Sequence, residues 1–309
     1  MNKTVILFFL VFLSTSLHSQ HLFTERSGKR GEILNAYVYP SEGIISSRFS
    51  LIDSSGGIVS YTEGFLYVDE QISIEAALLG IPSDIAPGKY ILKVFCETEA
   101  GSDQFTKPFF VSQRDYLSMD IHLDKKMSEL RASDDPEKAE QSRQLWSVIS
   151  SFDKEAQYFS DVLEVPVETY IESAFFGDRR NFIYSDGSRN KSLHYGSDFA
   201  APVGEPVYSA GNGKVVLVEN RIITGNTVII EHLPGVYTLY YHMDSVSIEP
   251  GMVITKGTEI GKVGATGLVT GAHLHWELRV SKIPVDPLRY LEAPLIDKDI
   301  IMDIIKSIH

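Results

Sequence analysis

The stretch Gly271-Ala272-His273-Leu274-His275-Trp276-Glu277 sets two histidines two residues apart in a run that otherwise reads as a strand. Side chains alternate between the faces of a strand, so residues i and i+2 share one. His273 and His275 would then look into the same space, with Cα atoms roughly 6.6–6.8 Å apart. Two imidazoles converging on one point suit a metal site or an acid–base site. They equally suit a bland arrangement, with one histidine capping the turn after Gly271 and the other packed. This stretch alone does not separate the two.

A second cluster is His194-Tyr195-Gly196-Ser197-Asp198. On a straight strand His194 and Asp198 share a face but lie roughly 13 Å apart at Cα. Gly196 permits a bend or bulge that would shorten the span. Combined with His275, this pair gives two imidazoles and one carboxylate. Three protein ligands with a fourth position left to water is the arrangement of a catalytic zinc. Such a metal lowers the pKa of its water toward ~7 and polarises the carbonyl under attack. A third cluster, Tyr240-Tyr241-His242, closes a strand whose alternation puts Thr238, Tyr240 and His242 on one face. A histidine there could donate to the oxyanion of a tetrahedral intermediate, or simply pack at a strand end.

These residues need a β scaffold, and the C-terminal half reads as one. From about 166 the chain is dense in glycine. Val207–Ser209, Lys214–Glu219, Thr227–His232, Tyr237–His242, Glu259–Val263 and His275–Val280 read as short strands. No βαβ alternation appears, so the sheet should be antiparallel. Residues 21–112 read as a separate small β-domain with strands Ile33–Tyr39, Arg48–Ile52, Gln71–Ala76, Lys89–Cys96 and Phe105–Val111. Turn-rich segments separate them, which suggests a sandwich. The run Ile85-Ala86-Pro87-Gly88-Lys89-Tyr90 resembles a hairpin of bacterial immunoglobulin-like domains. Between the two halves, Asp135-Pro136-Glu137 is a helix start. Leu145, Val148, Ile149 and Phe152 then form a one-sided apolar stripe. Isoleucines 300, 301, 304, 305 and 308 predict a terminal helix docked on the body of the protein.

Composition narrows the class. The chain has 309 residues, 43% hydrophobic and 22% charged, with a net charge of -13. That excludes a general nucleic-acid binder, which needs a basic footprint. Lys3 followed by the apolar run Val5–Leu13 and small polar residues reads as a secretory signal, too short to span a bilayer. Cys96 is the only cysteine, so an intramolecular disulfide is excluded. It shares a face with Tyr90, Leu92 and Val94 and reads as a buried structural thiol.

His194-x3-Asp198, Tyr240-x-His242 and His273-x-His275, in this order, resemble the peptidase family of lysostaphin and LytM (M23 type), zinc endopeptidases that cut peptidoglycan cross-links. Phe176-Gly177-Asp178-Arg179, Asp198-Phe199-Ala200-Ala201-Pro202-Val203-Gly204 and Ala210-Gly211-Asn212-Gly213-Lys214-Val215-Val216 extend the likeness. So do Gly225–His232 and Val263-Gly264-Ala265-Thr266-Gly267, and it covers about residues 171–290. Met243, Ala272 and Trp276 depart from the usual leucine, proline and phenylalanine, and none of them removes a ligand.

The resemblance implies zinc ligands His194, Asp198 and His275, with His242 and His273 flanking the bound water and substrate. Of these two, one would assist water attack and the other would stabilise the transition state. The position of His273 favours the general-base role. Arg179 and Tyr240 are expected to contact substrate, while His232 is not expected to be catalytic. The fold class implied is mainly β: an immunoglobulin-like sandwich, a helical connector and an antiparallel peptidase sheet. The divisions are 1–20 signal peptide, 21–112 sandwich, 113–165 connector, 166–291 peptidase and 292–309 helical tail.

The function implied is an exported enzyme of the periplasm or cell envelope that hydrolyses peptidoglycan cross-links, a D,D-endopeptidase in type. The partner of the N-terminal domain would be peptidoglycan, a cell-envelope protein or the catalytic cleft itself. The alternative is a non-enzymatic protein that activates or recruits another cell-wall hydrolase, as relatives lacking zinc ligands do. All five chemical positions are kept here. A carrier module is also weighed, because Ile248–Gly261 resembles biotinyl and lipoyl domains. It lacks their modified lysine.

Overall fold

A computed structural model describes residues 20–70 and 72–307. The expected signal segment, Gln71 and Ile308 lie outside the described residues. No helix among those described is long and apolar enough to cross a membrane.

The chain is mainly β. The N-terminal part is a sandwich of two sheets. One is four-stranded, in the order His21–Thr24, Ile33–Tyr39, Ile72–Gly80, Phe65–Asp69. The other is five-stranded and is built on the long hairpin Gly88–Thr98/Gly101–Ser112 and on Ile44–Ile52. Alternation explains the packing: Leu34, Ala36 and Val38 meet Leu92, Val94 and Cys96 in one apolar core. Cys96 lies there fully buried, and burial pushes its thiol up to about 12. It is a packing residue and not a reactive one.

The four-stranded sheet is apolar on both faces. Its second face, with Ile33, Tyr37, Phe65, Ile74 and Leu78, joins a larger core with Val228, Ile230, Trp276 and Leu278 from the C-terminal sheet. The Tyr290 hydroxyl accepts from the Ile33 amide at 2.6 Å across this boundary. The sandwich is thus packed on the back of the C-terminal sheet. The terminal helix Lys298–Lys306, capped by Asp297, adds Ile301 to the same core, while Ile300 is exposed.

The C-terminal sheet runs Ile171–Ala174, Ser197–Ala200, His273–Val280, Val236–Val246, Gly225–Leu233, Gly213–Arg221, Val253–Ile254, and every one of these pairs is antiparallel. Leu274, Trp276, Leu278 and Val280 face the sandwich, which leaves His273, His275, Glu277 and Arg279 on the opposite face. The helix Pro136–Ile149 starts at Asp135, whose side chain accepts from the Glu137 amide. Its stripe of Leu145, Val148 and Ile149 covers that opposite face beside Ile229, Tyr237, Leu239 and Tyr241.

The connector is not wholly helical. Ser118–His122 is a strand that pairs in parallel with Arg179–Ile183, and Arg189–Leu193 completes this three-stranded sheet. A pairing partner so far along the chain leaves no local trace, so periodicity does not reveal it.

Candidate active site

His194, Asp198 and His275 converge. One donor atom from each lies within 4.8 Å of the others, and all three residues are buried. Asp198 and His275 are cross-strand neighbours in register. His194 belongs to the short break between Leu193 and Ser197, where the chain bends instead of continuing as a strand. Gly196 sits at the bend, and a Cβ there would lie 2.1 Å from the Trp276 carbonyl oxygen. Only glycine lets the chain pass that close. His194 Nε2 consequently lies 3.0 Å from Asp198 Oδ1 and 3.0 Å from His275 Nδ1.

The outer hydrogen bonds fix which nitrogen of each ring faces inward. His194 Nδ1 donates to the Phe175 carbonyl at 2.8 Å, which leaves the Nε2 lone pair toward the cluster. His275 Nε2 donates to Glu277 Oε1 at 2.9 Å, which leaves Nδ1 toward it. Arg279 Nε holds the other Glu277 oxygen at 2.6 Å. Asp198 Oδ1 faces both histidines, while Oδ2 accepts from Arg180 Nη2 at 2.7 Å. Outer partners of this kind orient the imidazoles and raise ligand basicity at metal sites.

The electrostatics agree with a cation site. Burial disfavours a charge on His275, but Asp198 and Glu277 outweigh it and raise the ring to about 9, so a bound cation would take the place of the Nδ1 proton that faces Asp198. Burial likewise works against Asp198, and His275 and His194 overcome it, so the carboxyl titrates well below its usual range. Glu277 is held down to about 2 against burial by Arg279 and His275. Three donors aimed at one point, with two buried carboxylates to balance charge, fit a divalent metal of the zinc type.

His242 and His273 stand beside the cluster. Their ring centroids are 4.8 Å apart, and His273 Nε2 lies 3.8 Å from Asp198 Oδ1. Each Nδ1 donates to a backbone carbonyl at 2.9 Å, Thr266 for His242 and Gly271 for His273, so each Nε2 is a free acceptor. Burial, reinforced by the neighbouring His273 and His275, lowers His242 to about 3, and burial lowers His273 as well.

His242 reaches this face by breaking the strand pattern. Tyr241 and His242 together oppose Thr227 alone, since Asn226 pairs with Met243 and Val228 with Tyr240. His242 has φ 64, the left-handed conformation of a bulge. Its amide donates to the Thr224 carbonyl at 2.8 Å. The expected common face of Thr238, Tyr240 and His242 is therefore corrected. Tyr240 is fully buried in the core behind the sheet, where its hydroxyl accepts from the Ala210 amide, and it cannot contact substrate. Tyr241 instead stacks on His275, with centroids 5.2 Å apart and planes at 8°.

Arg179 also turns away from the cluster. It donates to the Ser83 carbonyl at 2.7 Å and the Gly177 carbonyl at 2.9 Å, with its guanidinium over the Tyr116 ring. Its neighbour Arg180 points to the site. Alternation on the Arg179–Ile183 strand separates the two, and sequence alone does not say which faces inward.

The histidines floor a cleft of about 510 Å³. Its far wall is the connector: Met119, Ile121, Leu123, Met127 and Arg131 line it, with the Arg131 guanidinium 3.8 Å from the Phe182 ring centroid.

Residues 192–287 match the profile of Peptidase family M23. The match covers about a third of the chain. The cluster described above falls within this segment. Peptidoglycan DD-endopeptidase ShyB of Vibrio cholerae is 44% identical over 96 residues, which are 31% of this chain and 22% of ShyB. DD-carboxypeptidase/endopeptidase Mpg of Neisseria meningitidis is also 44% identical over 96 residues, again 31% of this chain and 22% of the relative. The match thus spans about a fifth of the length of these curated relatives. A solved structure described as a peptidase M23 from Pseudomonas aeruginosa shares the fold more widely. It is 21% identical, with TM-score 0.57, over 85% of this chain and 94% of that one.

Proposed function

We propose that this protein is a zinc-dependent endopeptidase that hydrolyses the peptide cross-links of peptidoglycan, D,D-endopeptidase in type. The observation that carries the reading is the inward aim of His194 Nε2, Asp198 Oδ1 and His275 Nδ1, each set by a partner on the outer side. A zinc ion held by these three atoms would supply Lewis acidity and an activated water.

The chain's own groups supply the rest. His273, beside Asp198 and 16% exposed, presents a free Nε2 to the cleft and takes the proton of the attacking water. The Asp198 carboxylate stabilises the imidazolium formed, which then returns its proton to the leaving amine. His242 Nε2, fixed by the Thr266 carbonyl, accepts a hydrogen bond from the water or from a substrate amide and orients it. Glu277 and Arg279 keep His275 in the tautomer that a ligand needs. The names of the DD-endopeptidase relatives support the substrate class. An exported setting in the cell envelope follows from that substrate. The five imidazole and carboxylate positions together favour an enzyme over an activator of another hydrolase.

The test is digestion of purified peptidoglycan by the full chain, with and without chelator. Release of muropeptides that stops with chelator and returns with zinc is the expected result. Release that ignores the chelator, or no release at all, would remove the proposal.

A further inference from the structure

A pocket of about 360 Å³ lies where the sandwich meets the C-terminal helix, and it shares no lining residue with the catalytic cleft. Ligand pockets have volumes of roughly 300–1,000 Å³. Alternation on Ile33–Tyr39 puts Ile33, Asn35 and Tyr37 on its floor, and Phe23 is the cross-strand neighbour of Tyr37. Tyr290, Ile300 and Ile304 close it from the other side. Its charged lining is Glu25, Glu32 and Asp297 against Lys107 and Arg289.

Two polar groups on the floor are left over. Tyr37 is only 3% exposed, and its hydroxyl makes no hydrogen bond among the described residues. Burial raises this phenol, and so do Asp297 and Glu25, whose carboxylates are therefore within electrostatic reach of it. Asn35 Nδ2 donates to the Leu295 carbonyl at 3.3 Å, while its Oδ1 is buried without a partner. A buried polar group without a partner costs stability, and few are found in a native fold. At the rim, Glu32 accepts from the Lys29 amide at 2.8 Å and lies 3.8 Å from Arg289 Nε. Asp297 Oδ1 caps the terminal helix. Glu25 forms no ion pair or hydrogen bond among the described residues, and burial together with Glu32 raises its carboxyl. Acids on a solvated rim need no ligand. A buried phenol and a buried amide oxygen facing the same pocket do.

A metal ion does not suit these groups. Among the described residues only His194, Asp198 and His275 bring three carboxylate or imidazole donors within 4.8 Å of one another. An elongated cation with N–H donors at both ends does suit them. We propose that this pocket binds a small organic diamine, one ammonium meeting the Tyr37 hydroxyl and Asn35 Oδ1 on the floor and the other meeting Glu25 at the rim. The methylenes between lie against Ile300 and Ile304, and aromatic rings offer their faces to the charge. Phe23 already holds one cation in this way, the Lys107 ammonium 5.7 Å from its centroid. The site stands apart from the peptidase reading and does not depend on it.

The test is equilibrium dialysis of the full chain against radiolabelled putrescine, with magnesium chloride and the uncharged diol of the same chain length as competitors. Putrescine should bind once per chain with a Kd below about 1 mM. The diol should compete at least about tenfold more weakly, because hydrogen bonds made by a charged donor are the stronger kind. Tyr37→Phe should weaken putrescine about tenfold. Its denaturant unfolding should match wild type or exceed it, since the hydroxyl has no partner to lose. Glu25→Gln, a change at an exposed side chain, should weaken putrescine by up to about fivefold.

No saturable binding of putrescine, or equal competition by the diol, would overturn the inference. Full affinity in both variants would do the same. Magnesium that displaces putrescine at equal concentration would also overturn it, in favour of a metal site. Should Tyr37→Phe fail to fold, an unchanged affinity in Glu25→Gln is sufficient to reject the contact at the rim and the inference with it. None of these readouts uses peptidoglycan, so the result stands whether or not the digest succeeds.

Discussion

Two kinds of buried histidine behave in opposite ways. His194 and His275 each use one ring nitrogen on an outer partner and turn the other toward a shared point. His232, fully buried on the other side of the C-terminal sheet, spends both. Its Nδ1 donates to the Asn212 carbonyl at 2.7 Å and its Nε2 lies 2.7 Å from the Thr238 hydroxyl. Thr238 in turn lies 3.0 Å from the Tyr240 hydroxyl. Burial and residue type are the same in the two groups. What differs is whether a lone pair is left over and where it points. A satisfied histidine holds the fold, and an unsatisfied one beside a carboxylate can hold a cation.

The contrast breaks most sharply at the ligands. His194→Ala or His275→Ala should reduce muropeptide release to background, while His232→Gln should leave a folded chain with activity near wild type. Comparable losses in all three would erase the distinction. Next in size is His273→Ala, which leaves the three donors in place but removes the free Nε2 beside them. Turnover should fall by about 10²–10⁴-fold with metal content unchanged. A loss of metal together with the activity would make His273 a ligand instead.

Glu277→Gln tests the outer partner. It keeps the size of the side chain but weakens the hold on His275 Nε2, and metal affinity should fall by about 10–100-fold. An unaltered affinity would show that ring orientation does not depend on Glu277.

The smallest effect is on stability and falls to His232. Burial lowers this ring from 6.5 to about 4. The groups facing it are uncharged: the Asn212 carbonyl, the Thr238 hydroxyl and the Phe159 ring. Between these pH values the unfolded chain binds the proton and the folded chain does not. The stability is therefore complete above 6.5 and is lost as pH falls toward about 4, by about 3 kcal/mol. Denaturant unfolding of wild type and His232→Gln across that window should show the steeper acid loss in wild type. Parallel pH curves would refute the assignment.

Much of the site was legible from residue spacing. The alternation of His273, His275 and Glu277 was plain, and Gly196 marked the bend that brings His194 to Asp198. The outline of the fold was partly open, because apolar alternation announced the long strands of the sandwich and of the C-terminal sheet. Three features were hidden for physical reasons. The bulge at His242 turns on one backbone torsion, so Tyr240 was placed on the wrong side. Arg179 and Arg180 are chemically alike, and only strand register separates them. The Ser118–His122 strand, short and edged by polar residues, exists through pairing with a distant partner, so the cleft wall it builds was read as part of a helical connector.

The central claim is that His194, Asp198 and His275 bind one metal ion and His232 does not. Elemental analysis of purified wild type, His194→Ala, His275→Ala and His232→Gln, each loaded with zinc and then dialysed, tests it most directly. The account predicts one zinc per chain in wild type and His232→Gln and none retained by the two ligand variants. A wild type without zinc, or ligand variants that keep a full equivalent, would contradict it.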